Sequence, residues 1–158
     1  MNIDIILLIL NAAATWFMTG LIWFVQIVHY PLFDSVGVQG FQSYAEKHRQ
    51  LTSLVVAMPM ITEIFSAFLL AILWKRSDSW LLWLCFAMVV GIWISTACCS
   101  IPCHAKLCGI GYSASTHHWL VLSNWLRTAL WTTRSIVLAL VIYKTVSNAT
   151  NGSASICE

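Results

Sequence analysis

A chain of 158 residues with 59% apolar and only 9% charged side chains lies far from the composition of a water-soluble domain, where roughly a quarter of residues are charged. Its net charge of +2 is small and scattered, and no basic stripe exists to neutralise phosphates, which excludes nucleic-acid binding. The length allows one compact domain, and four membrane-crossing helices would use most of it.

A hydrocarbon core about 30 Å thick takes roughly 20 apolar residues per helix. The first predicted span covers 3–30 and stops at Pro31. It outruns a signal-peptide core and has no basic residues ahead of it, so it reads as a span and not a leader. A short loop over 35–40 leads to the polar turn QSYAEKHRQ, and the second span covers 50–74, with a kink predicted at Pro59. Lys75, Arg76, Ser77 and Asp78 make a polar turn. The third span covers 80–101 and is ended or bent by Pro102; the glycine-containing CGIGYSAST joins it to a fourth over 117–143. Residues 1–144 thus read as an all-α, integral membrane four-helix bundle, and the polar segment 145–158 as a disordered tail. Four consecutive spans put both termini on one side. Lys75, Arg76 and Lys144 mark that side against Lys47, Arg49 and Lys106 opposite, and the shortness of the Lys75–Asp78 loop favours cytoplasmic termini.

The histidines follow from this topology. His29 ends the first span, His48 precedes the second, His104 follows the third, and His117 and His118 open the fourth. Alternating helix direction brings them all to one membrane face. Imidazole suits iron and copper, helical bundles build such sites from facing helices, and haem needs only one or two axial histidines. The expectation is an iron, copper or haem centre on His29, His48, His104 and His117, weighed against an ordinary interfacial cluster. His117 is preferred to His118, which points about 100° away on the same helix.

His117 shares its face with Asn124, Arg127, Trp131 and Arg134, at offsets of seven, three, four and three residues. An arginine at mid-membrane is costly unless paired or hydrated. Glu63 is the intramembrane carboxylate, so it is expected to pair with Arg127 or Arg134. One carboxylate does not satisfy both guanidiniums; the other needs water, carbonyls or an anionic substrate. Glu63, Asn124, Arg127 and Arg134 are therefore the candidate catalytic residues, lining a cavity open at the histidine end, with Gln26 facing it. The competing reading is a structural lock, with Asn124 as interhelical glue.

Cys98, Cys99, Cys103 and Cys108 fall within eleven residues, without a CxxC; Cys85 and Cys157 stand apart. They read as small packing residues, or as a Cys103–Cys108 or Cys99–Cys108 disulfide in an oxidising compartment.

The segments QIVHYPLF, FQSYAEKHRQ, MPMITE, PCHAKL and HHWLVLSNWLRTALWTTR resemble a group of small bacterial four-helix membrane proteins of unknown function, itself distantly similar to the anthrone-oxygenase-like membrane family. The likeness covers about residues 15–140 and is carried best by Asn124–Thr128. It implies a four-helix bundle and oxidation of a lipophilic or aromatic molecule, and it assigns no catalytic residue.

Together these readings lead to a membrane oxidoreductase or oxygenase in the lipid bilayer, acting on a quinone-like or aromatic substrate, as a homo-oligomer or with a redox partner. A small transporter or binding protein using the Glu/Arg cavity is the alternative from another class, although no inverted repeat is visible. A non-catalytic membrane subunit is the third.

Overall fold

A computed structural model of the chain describes residues 3–154, and its side chains through Thr150. Helix α1 (Ile3–Phe24) continues through a π turn (Val25–His29) into a short 3-10 segment (Pro31–Ser35). Helix α2 (Phe41–Leu73) returns antiparallel to it. The third rod is α3 (Ser79–Ser95), a π turn (Thr96–Ser100) and α4 (Ile101–Ile110) end to end; α5 (Ala114–Ala154) closes the bundle. All four rods are long and apolar enough to cross a membrane, and among the described residues there is no strand. The chain is an all-α four-helix bundle of an integral membrane protein.

Several boundaries move from their predicted places. The second rod starts at Phe41, ahead of residue 50, because the amphipathic turn around Phe41 and Ala45 buries its apolar side while Gln42, Lys47 and Arg49 face out. The third continues through Pro102 to Ile110. Helix α5 runs on through Ala154, where a disordered tail from 145 was expected; Thr145 and Thr150 turn their hydroxyls back onto the helix carbonyls of Val141 and Val146. Cys157 and the rest of 155–158 lie outside the described residues.

Both π turns stand just ahead of a proline. His29 is followed by Tyr30 and Pro31, and Ser100 by Ile101 and Pro102. A proline ring removes one N–H and crowds the carbonyl four residues back. A widened turn upstream relieves that crowding and lets the rod continue. Helix α2 runs unbroken through Pro59.

Going round the bundle the rods follow chain order, α1 beside α2 and α5, and α3 beside α2 and α5. The interior is layered. Leu8, Leu70, Leu82 and Leu138 fill the end nearer the termini, Met18, Met60, Ile92 and Trp131 the middle, and Tyr30, Phe33, Phe41, Leu107 and Leu120 the far end. Large apolar side chains such as Phe17, Leu54, Met58 and Ile136 are turned outward, as lipid contact requires. On the α1–α5 seam, Thr19 and Ser135 share a 2.7 Å hydrogen bond and the Trp23 indole donates to the Thr132 hydroxyl at 3.0 Å. Such short polar contacts are the usual glue between membrane helices.

Candidate functional site

The polar residues of the interior fall into three tiers. Deepest is Glu63, fully buried and ion-paired with the equally buried Arg134. The Trp131 indole donates to both carboxylate oxygens, at 3.2 and 3.0 Å. Arg134 also donates to Asn11 Oδ1 at 2.9 Å, while the Asn11 amide reaches the Glu63 carbonyl at 3.0 Å and the Ser66 hydroxyl at 2.8 Å. Three rods thus meet around one charge pair. Of the two expected partners for Glu63, the fold chooses Arg134.

One tier up, Asn124 donates to Gln26 Oε1 at 2.7 Å and accepts from the Arg127 guanidinium. The π turn over Val25–His29 presents Gln26 to the interior. Arg127 is buried, yet its Nε has no partner and no described carboxylate pairs with it. It lines a cavity of about 330 Å³ bounded by all four rods, with Trp131, Met18 and Met60 toward its deep end and Tyr30, His48 and His104 toward the other.

The third tier is the histidine end. His29 Nε2 and His48 Nδ1 lie 2.8 Å apart, the Thr52 hydroxyl is 3.1 Å from the same His48 nitrogen, and the Tyr30 hydroxyl is 3.1 Å from His104 Nε2. The His48 ring centroid is 4.3 Å from that of His29 and 5.3 Å from that of His104. His104 Nδ1 is buried without a partner.

His117 stands apart from these three. Its Nε2–H donates to the Tyr30 carbonyl at 2.8 Å, and its Nδ1 lies 2.8 Å from the Asp34 carboxylate. Tyr112 donates to Asp34 at 2.5 Å, completing a tie between the 3-10 segment and the start of α5. That hydrogen bond, with slight desolvation and the nearby carboxylate charge, raises the Tyr112 phenol above its usual value. With both ring nitrogens engaged, His117 fastens the fold and does not face the cavity. His118 is exposed.

The four predicted metal ligands are therefore divided. His29, His48 and His104 meet at one place, one nitrogen of each turned to another imidazole or to a hydroxyl, while His117 is held elsewhere. Among the described residues no three His, Cys, Asp or Glu side chains are grouped to hold a metal ion. Cys85, Cys98, Cys99, Cys103 and Cys108 are free thiols, so neither anticipated disulfide is present.

Sequence reasoning missed Asn11, Tyr30, Asp34 and Tyr112. Asn11 carried a usable signal, an amide in the middle of an otherwise apolar span. Tyr30 and Asp34 carried none, because only the fold of the 3-10 segment turns them toward His104 and His117.

Comparison with known proteins adds no relative: no family model, curated protein or solved structure matches this chain.

Proposed function

We propose that the protein binds a small lipophilic molecule, quinone-like or aromatic, in the four-rod cavity and carries out oxidoreductase or oxygenase chemistry on it. The observation that supports this is Arg127, a buried guanidinium that no described carboxylate pairs, on the wall of a mostly apolar space. An unpaired charge in hydrocarbon is costly, and a ligand oxygen bearing negative charge offsets that cost. The volume fits the small end of ligand pockets. His48, His104 and Tyr30 on the same wall supply groups able to accept or pass the proton of a phenol or enol, and Arg127 holds the oxyanion left behind.

Iron, copper or haem at this end would draw on His48 and His104, the histidines that line the cavity, and would supply oxygen activation or electron transfer. Transport is disfavoured by the tier beneath: Glu63, Arg134, Trp131 and Asn11 are bonded to one another across the bundle, and a path to the opposite face would have to break that layer. A bacterial inner-membrane location belongs to the same proposal and rests on the resemblance to small bacterial membrane proteins; cytoplasmic termini rest on Lys75 and Arg76 in a short loop.

The test is titration of the nanodisc-reconstituted protein with a hydroxynaphthoquinone, read by quenching of tryptophan fluorescence. Metal analysis and an absorption spectrum are taken on the same sample. Saturable quenching that weakens in Arg127→Gln supports the reading. Identical titrations for the two proteins would overturn it.

A further inference from the structure

The mouth of the cavity is in the side of the bundle. Of the residues lining it, the exposed ones are Arg49 and Ser53 on α2 and Ile101 and Ala105 on α4. Every lining residue from α1 and α5 is buried or half-buried. The opening is thus a slot between α2 and the third rod.

The end of the bundle beyond the cavity is closed. Phe33 and Phe41 are fully buried there, ring centroids 5.8 Å apart and edge to face. Tyr30, Leu107 and Leu120 pack around them, and the tie among His117, Asp34 and Tyr112 holds the 3-10 segment over the top.

The depth of the slot follows from helix geometry. From Ser53 to Leu73 the α2 helix rises about 30 Å, the thickness of a hydrocarbon core. With Leu73 at one boundary, Ser53 and Arg49 sit at the other. Below that level the lipid-facing side chains of the two rods, Leu54 and Met58 on α2 and Ile94 on α3, are exposed and apolar. The rim therefore has a cation at headgroup level and lipid-facing side chains below it. Inside, the π turn at Thr96–Ser100 contributes Thr96 and Ser100 to the wall, and Arg127 stands beyond.

Resting on the proposed reading of the same cavity, we infer that the ligand is a membrane-dissolved amphiphile that enters sideways from the bilayer between α2 and α4. Its acidic head, a phenol, enol or carboxylate, reaches Arg127, and its linear apolar tail trails through the slot into lipid. About 330 Å³ holds such a head and not a long tail as well, and the slot is where the tail leaves. A compact water-soluble anion fits this arrangement less well, since the aromatic plug closes the end of the bundle and the open side of the cavity meets the lipid headgroups.

Two probes separate the mouth from the head site: a hydroxynaphthoquinone with an undecyl tail and its methyl analogue, each added to the protein in nanodiscs. Ala105→Phe and Ser53→Phe narrow the slot, and Ala13→Phe, exposed on α1 and away from the cavity lining, is the control. Narrowing is expected to slow association of the undecyl compound at least tenfold, with a much smaller effect on the methyl analogue and none from the control. Equal effects on the two compounds, or none on either, would overturn lateral access while leaving the head site in place. Failure of both compounds to bind the wild-type protein overturns the underlying reading. A second measurement needs no variant: with vesicles preloaded with the undecyl compound, the association rate should follow its mole fraction in the bilayer. A rate that follows the aqueous concentration instead overturns the inference.

Discussion

Glu63 and Arg134 are ion-paired with both side chains fully excluded from solvent, and the Trp131 indole closes over the carboxylate from the side. The pair joins α2 to α5, with Asn11 bringing in α1. Taking two charges into low dielectric costs several kcal/mol each, so the gain lies in their being matched and not in their being charged.

Removing one member should therefore be much worse than removing both. Glu63→Gln is expected to destabilise the bundle by about 3–5 kcal/mol, because Arg134 is left uncompensated. Pairing Glu63→Met with Arg134→Met should recover most of that loss. Thermal unfolding in a mild detergent checks both; additive losses in the double variant would mean the pair is not coupled.

Arg127 should behave in the opposite way. Its guanidinium bonds to the Asn124 amide and to the Tyr30 phenol, and no described carboxylate depends on it, so Arg127→Gln should alter thermal stability little. Loss of a charge-assisted hydrogen bond of about 1.5–3 kcal/mol predicts roughly ten- to hundredfold weaker binding of a hydroxynaphthoquinone. Arg127→Lys, which keeps the charge without the planar fork, should fall between. The nanodisc titration measures all three proteins.

Metal content gives a sharp contrast between histidines. Any iron or copper that copurifies should drop in His48→Ala and in His104→Ala and persist in His117→Ala, whose ring is engaged by the Tyr30 carbonyl and Asp34. His117→Ala should instead speed amide hydrogen exchange over 30–36, where its tie to the 3-10 segment is cut. Plasma mass spectrometry and exchange mass spectrometry read the two effects. Metal loss in His117→Ala alone would reverse the assignment.

The Tyr112–Asp34 contact has a pH signature. Its hydrogen bond to Asp34 raises the phenol above the ordinary value near 10. With the folded-state value above the unfolded one, the contact contributes fully below about pH 10 and is lost as pH rises through the raised value. In a spectrophotometric titration, the Tyr112 signal, assigned by difference from Tyr112→Phe, should move down in Asp34→Asn. An unchanged midpoint would show that the carboxylate does not hold it.

How much of this was legible in the sequence differs from residue to residue. Runs of apolar residues set the four rods, because a bilayer offers backbone groups no other partners than their own helix. Period and direction then placed His29, His48, His104 and His117 at one end and put Asn124, Arg127, Trp131 and Arg134 on one buried face. Both followed from spacing along the chain and needed no knowledge of what packs against what.

Only the tertiary structure decided which groups meet. Spacing left Glu63 with two possible arginines, since the depth of a residue depends on how far each rod overhangs the membrane, and α2 starts well before its predicted span. It grouped His117 with the other histidines, because periodicity gives a direction from the helix axis and not the neighbour found there; the 3-10 segment after Pro31 supplied a carbonyl and a carboxylate that took up both ring nitrogens. The cavity and its sideways mouth were equally hidden. They arise where two π turns and four rods fail to close on one another, and such a gap belongs to the packing of the whole bundle, not to any one stretch of residues.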